Sequence, residues 1–117
     1  MPVSPSYRQF VVDCLGRVTH DIRAKNMFGG VGLYADEHFF ALIAGDTLYL
    51  KVDDGNRADF EERGMGPFRP FGETGEVMQY YELPAELLEE PEALREWVEK
   101  AIQVARRAKQ PAKKRTR

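Results

Sequence analysis

The sequence predicts an α+β fold: a two-layer sandwich in which helices cover an antiparallel sheet, with elements in the order αβββαβα. Apolar residues recur at helical spacing near both ends of the chain, and a two-residue hairpin signal separates two β-like runs in the middle. No strand–helix–strand alternation is present to build a parallel sheet.

Near the start, Tyr7, Phe10, Val11, Cys14, Leu15 and Val18 fall at i, i+3, i+4, i+7, i+8 and i+11, the stripe of an amphipathic helix. Ser4 reads as its N-cap and Pro5 as its first residue. After "RVTHD" the pattern becomes β-like over 22–34, 38–44 and 47–52. Gly45-Asp46, between "FFALIA" and "TLYLKV", sets a hairpin register in which Ile43 faces Leu48, Ala41 faces Leu50 and Phe39 faces Val52. The opposite face then carries Phe40, Leu42, Tyr49 and Lys51, a candidate partner surface. A short helix follows, with Asn56 as N-cap, Asp59 at N3, Phe60 inward and Gly64 as its stop. "MGPFRPFGETG" reads as a Pro/Gly loop and "VMQYYEL" as a strand. Pro84 opens a turn of helix, and Pro91 begins a longer helix with Leu94, Trp97, Val98, Ala101, Ile102 and Ala105 facing the core.

A chain of 117 residues with 43% apolar content can bury one core, and Cys14 is its only cysteine. No internal disulfide can form, no run reaches the roughly 20 apolar residues of a membrane span, and the amino terminus lacks the features of a secretory signal. Cytoplasmic is the expected location, with no membrane partner. Residues 1–105 hold 10 basic and all 19 acidic residues, whereas residues 106–117 hold 7 basic and no acidic ones. The organisation expected is a folded acidic body over 1–105 and a disordered basic tail over 106–117. The tail's Arg106, Arg107, Lys109, Lys113, Lys114, Arg115 and Arg117 are candidate nucleic-acid contacts of weak, sequence-independent kind, while the acidic body repels nucleic acid.

"MFGGVG", residues 27–32, could cradle a phosphate, read RNA or bend a strand. The Walker and dinucleotide patterns both fail, because the glycines run on into strand and no Lys-Ser/Thr follows. Against the RNA-recognition pattern, the window from Asn26 to Leu33 matches only at Phe28, Gly29 and Val31, and the stacking positions hold Gly30 and Leu33. Gly29, Gly30 and Gly32 therefore read as a structural strand bend where backbone comes close. His20, His38 and Cys14 lack zinc spacing. "DDGNRAD" lacks oxygen ligands at Gly55 and Arg57, and "ELLEEPEALRE" reads as the acidic first turn of a helix. No catalytic, metal or cofactor site is expected, and Cys14 reads as a small buried residue.

"MFGGVGLY", "FFALIAGDTLYLKVD", "NRADFEERG", "MQYYELP" and "LREWVEKA", taken together over about residues 7 to 107, resemble the amino-terminal domain of the TfoX/Sxy family. The resemblance implies a two-layer α+β domain similar to type III secretion chaperones, in bacterial activators of competence genes that act with the cyclic-AMP receptor protein. Those regulators carry a second, carboxy-terminal helical domain, in whose place this chain has "RRAKQPAKKRTR". Three functions follow for comparison. They are a transcription-associated regulatory module acting by protein contacts, a protein-binding adaptor or chaperone-like homodimer without a gene-regulatory role, and an enzyme.

Overall fold

Ser4 opens helix α1 (Pro5–Gly16) as expected, its hydroxyl accepting the Tyr7 N–H at 3.2 Å with Pro5 in the first turn. The computed structural model describes residues 3–27, 29–69 and 79–109. Val11, Cys14 and Leu15 are buried from α1, and Val18 joins them just beyond it. Phe10 departs from the expected stripe. It is 39% exposed and leans on Tyr7, because it lies at one flank of the stripe while the helix is turned toward the other flank, where Leu15 is buried and Val12 packs against the core.

Strands β1 (Ile22–Met27) and β2 (Gly30–Ala35) pair antiparallel, from Ile22 opposite Ala35 to Met27 opposite Gly30. This corrects the single strand bent at Gly29, Gly30 and Gly32: the glycines serve a hairpin. Gly29 takes φ 79°, a left-handed conformation that a Cβ would strain. Gly30 and Gly32 lie in β2 and permit close approach. A Cβ at Gly30 would sit 2.5 Å from the Ile43 carbonyl oxygen, and one at Gly32 would sit 2.6 Å from Met27 Cε.

Strands β3 (His38–Ala44) and β4 (Thr47–Lys51) keep the expected hairpin register, with Ala44 opposite Thr47, Ile43 opposite Leu48, Leu42 opposite Tyr49 and Ala41 opposite Leu50. Gly45 supplies the positive φ, 61°, that a tight hairpin needs at its first central position. Between β2 and β3 the register slips. Leu33 opposes Ala41 while Tyr34 opposes Phe39, so Phe40 is the extra residue of a bulge. Phe40 and Ala41 are both fully buried in the core, and Phe39 goes to the other face. Phe40 is thereby removed from the surface on which strict alternation placed it.

Beyond β4 lies β5 (Tyr80–Glu82), which completes a five-stranded antiparallel sheet in sequence order among the described residues. Residues 66–68 run along its far side: Glu82 N–H donates to the Gly66 carbonyl and Phe68 N–H to the Tyr80 carbonyl. The rest of the expected Pro/Gly loop, 70–75, and residues 77–78 of the expected strand lie outside the described residues.

Helix α2 (Arg57–Glu61) buries Phe60, and Gly64 ends its turn with φ 76°. Asn56 stands at the N-cap position, but its side chain works elsewhere. Its Oδ1 accepts the Asp53 N–H at 2.9 Å and its Nδ2 donates to the Lys51 carbonyl at 3.1 Å, joining the end of β4 to the following turn. A 3-10 helix (Ala85–Glu89) leads to α3 (Pro91–Lys109). Leu94, Val98, Ala101, Ile102 and Ala105 pack as expected, with Val104 added, and α3 lies across β3 and β4. Trp97 is only half-buried, edge-on to Phe60 with ring centroids 4.8 Å apart.

Helix α3 runs four residues past Ala105, into the stretch expected to be disordered tail. Arg106, Arg107 and Lys109 continue α3. The Arg107 guanidinium donates to both carboxylate oxygens of Asp53, at 2.9 and 3.1 Å, which ties the helix end to the turn after β4. Lys113, Lys114, Arg115 and Arg117 lie outside the described residues.

Candidate interaction surface

Both long helices pack on the sheet face that carries Leu33, Phe40, Ala41, Ile43, Leu48 and Leu50. Among the described residues no helix lies on the other face. Of the four residues expected there, Leu42 and Tyr49 are cross-strand partners, Lys51 lies two residues further along β4, and Phe40 is absent for the reason given.

Rings surround these three. Tyr34 stacks on Phe39 at 5.1 Å between centroids, Phe39 leans on Tyr80 at 5.6 Å, and Tyr49 leans on Phe68 at 4.8 Å. Lys25 Nζ lies 5.7 Å from the centre of the Tyr34 ring, and Lys51 Nζ 4.9 Å from that of Tyr80, within the range of cation–π attraction. The missed members are Tyr34, Phe39, Tyr80 and Phe68; for Phe39, opposite Tyr34, the cause is the bulge, and for Tyr80 and Phe68 it is the pairing along β5. A strand alternation read from β3 and β4 alone places Phe39 with Val52, and only pairing with β2 reveals the bulge that turns it over.

Burial, with the Tyr34 hydroxyl adding, pushes the Tyr80 phenol up to about 12. Burial first and the Glu82 carboxylate second raise Tyr49, and burial lowers the Lys51 ammonium below its usual value. At neutral pH the phenols of Tyr49 and Tyr80 are therefore uncharged, beside the apolar rings and the side chains of Lys25 and Lys51. That chemistry suits stacking, apolar contact and hydrogen bonding to a partner surface.

The remaining candidates lie apart from this face. Cys14 is buried under α1, where burial raises its thiol. Among the described residues no group of three or more His, Cys, Asp or Glu is arranged to hold a metal ion, and no helix is long and apolar enough to cross a membrane. An open cleft between α2 and α3 is lined by Asp59, Glu62, Arg63, Glu96, Trp97 and Lys100. Lys100 is already paired with Asp59 at 2.8 Å, and Arg63 lies 5.7 Å from the Trp97 ring centre.

The family described as the TfoX N-terminal domain matches residues 13–105, from within α1 to the last apolar position of α3. The chain belongs to this family. A relative of this TfoX domain is the DNA transformation protein TfoX1 of Aliivibrio fischeri (strain ATCC 700601 / ES114), 29% identical over 83 residues. The match covers 70% of this chain and 40% of that protein, so the chain spans well under half of the relative's length. The matched residues include both hairpins, α2 and most of α3, so the TfoX domain takes in the whole described sheet.

Proposed function

We propose that this TfoX domain is a regulatory module of bacterial transcription, in the setting of competence and DNA transformation, and that it works through protein contacts. The observation that carries the reading is the one-sided helix layer. Both long helices serve one sheet face, and the opposite face presents Leu42, Tyr49 and a run of rings flanked by lysines. The family membership and the transformation protein among its relatives supply the biological setting. The basic run from Arg106 onward adds weak, sequence-independent DNA affinity. Self-association through the same face, as a symmetric homodimer, is the second use this apolar surface allows.

The test is an affinity pull-down from the native organism with the wild-type chain and with Leu42→Asp. The variant places a charge on the outer face without touching the core. An RNA polymerase component or a homologue of the cyclic-AMP receptor protein should accompany the wild type and be lost from the variant. A stoichiometric client unrelated to transcription would replace this reading with that of an adaptor. A bound metabolite would replace it with that of an enzyme.

A further inference from the structure

The outer edge of β1 carries backbone groups that β2 does not take, and the register says which they are. In an antiparallel ladder, alternate residues bond to the neighbouring strand while those between them point their N–H and C=O outward. The Asp36 N–H donates to the Asp21 carbonyl, so the residues in phase with Asp21, namely Arg23, Lys25 and Met27, are the ones turned toward β2. Ile22, Ala24 and Asn26 are turned to the edge. A second observation agrees: the Ala24 carbonyl accepts from Arg8 Nη2 at 3.4 Å, and the guanidinium reaches it from α1. The other Arg8 nitrogen donates to Asn26 Oδ1 at 3.0 Å. The edge thus offers backbone groups at three positions about 6.8 Å apart, the repeat of an extended chain.

Charge decides what can pair there. The side chains of Arg23 and Lys25 are exposed and project on the outer face, where Lys25 approaches Tyr34 and Arg23 already donates to the Asp36 carbonyl. A second copy of this chain, paired antiparallel along β1, must match outward residues with outward residues. Centred on Ala24, that register sets Arg23 opposite the partner's Lys25. Centred one residue to either side, it sets Arg23 opposite Arg23 or Lys25 opposite Lys25. Like charges directly opposite destabilise a strand pair, so the edge is guarded against its own kind. The same three cations, Arg8, Arg23 and Lys25, complement a strand that carries carboxylates.

We propose that the β1 edge accepts an extended protein segment bearing acidic side chains at alternate positions, added as a sixth strand. Its backbone pairs with Ile22, Ala24 and Asn26, and its carboxylates face Arg23 and Lys25. Arg8 gives up the Ala24 carbonyl and turns to the incoming strand. This rests on the reading of the domain as a protein-contact module and adds to its outer face a second place of contact, the β1 edge, with its own chemistry. Its test uses a synthetic peptide on the isolated chain, so its outcome is separate from the identity of whatever the pull-down recovers.

The probe is the capped heptapeptide Thr-Glu-Val-Glu-Val-Glu-Thr, with its lysine counterpart, Lys replacing each Glu, as control. Amide hydrogen exchange is followed residue by residue in the full chain. Saturating acidic peptide should slow exchange at Ala24 and Asn26 by about tenfold or more, and the lysine peptide should leave it unchanged. Raising salt should weaken the acidic peptide's binding. Ala24→Pro removes an outward N–H that the native ladder does not use, a position where edge strands tolerate proline, and it should melt cooperatively yet lose the peptide. The double variant Arg23→Glu, Lys25→Glu should exchange the preference and take the lysine peptide instead. If Ala24→Pro does not fold, the double variant alone decides. Equal protection by both peptides, protection away from β1, or undiminished acidic-peptide binding by the double variant would each overturn the proposal.

Discussion

Replacing Gly30 by alanine tests the closest backbone approach in the sheet. The added Cβ would stand 2.5 Å from the Ile43 carbonyl oxygen, a backbone atom, whereas ordinary contact begins at 3.4 Å. The two strands must separate by roughly 0.9 Å at a point where Val31 pairs with Ile43, and Ile43 is fully buried. Overpacking of this kind costs about 1–3 kcal/mol, and the reduced freedom of the unfolded chain returns about 0.4–1 kcal/mol. The net loss expected is about 1–2 kcal/mol, a fall of about 4–8 °C in Tm for a domain of this size. Gly16 is the internal control. It lies at the end of α1 with nothing within 4 Å of its would-be Cβ, so Gly16→Ala should raise stability by about 0.5–1 kcal/mol. Thermal and urea unfolding of both variants, followed by circular dichroism, compares them on one scale. A Gly30→Ala protein that melts at or above the wild-type temperature would refute the close approach.

Phe40→Ala should cost about 3–5 kcal/mol, since the ring is fully buried, whereas Leu42→Ala on the outer face should cost under about 1.5 kcal/mol. Equal losses in urea unfolding would mean that the bulge does not divide these neighbours. Partial burial opposes ionisation of Asp53, but the Gly55 N–H and the Arg107 guanidinium outweigh it and hold the carboxyl below its ordinary value. Because the folded value is depressed, this stabilisation is present above the ordinary carboxylate value near about pH 3.9 and is lost as pH falls through the folded value beneath it. Asp53→Asn should flatten that acid limb of the stability profile and change nothing in its shape between about pH 5 and 8. Truncation after Ala105 removes Arg107 with the basic run and should lower stability by about 0.2–1 kcal/mol, while truncation after Lys109 should leave the melt unchanged. Seven tail cations contacting phosphate at about −0.9 each would give a limiting slope of log DNA affinity against log salt of about −6, and with Arg107 engaged by Asp53 six give about −5. Tight sequence-specific binding retained by the truncated chain would move DNA contact to the folded body.

The helices and the central hairpin were legible because each depends on local chemistry. Ser4 and Pro5 announce α1, Gly45-Asp46 announces the β3–β4 reversal, and the spacing from Leu94 to Ala105 announces α3. What escaped depends on pairing between distant residues. The reversal at Gly29 looks like a bent strand because apolar residues continue on both sides, and only the match of Ile22 with Ala35 shows two strands. Phe40 reads as an outward residue under strict alternation, and the bulge that turns it inward exists only in the register between β2 and β3. The outer face inherited that error. Leu42, Tyr49 and Lys51 were found from the hairpin alone, but Tyr34 and Phe39 required the bulge, and Phe68 required the strand-like run beside β5. Arg107 was counted in the tail because charge arithmetic sees composition, whereas its role comes from Asp53, which is 54 residues away.

The distribution of charge over the finished fold separates the surfaces by the partners they admit. Acidic residues gather on the helix layer, with Glu61 and Glu62 at α2, Glu86 and Glu89 on the 3-10 helix, and Glu92, Glu96 and Glu99 along α3. The far side of the sheet carries Arg23, Lys25 and Lys51 among its rings, with Glu82 as the one acid in the strands of that face among the described residues. A net charge of −2 therefore understates how differently the two sides behave. An anionic polymer approaching the helix layer meets like charge, whereas an acidic protein strand approaching β1 meets Arg8, Arg23 and Lys25 beside backbone groups already spaced to receive it. Attraction over that distance is screened within about 8 Å at physiological salt, so it orients an encounter only near contact. Under the proposal, specificity would come from what lies next to the edge on that face, Met27 and, one strand further in, the Tyr34 ring. On that proposal the ranges order the steps: charge would select the edge, backbone pairing would then fix the register, and side-chain contact near Tyr34 would come last.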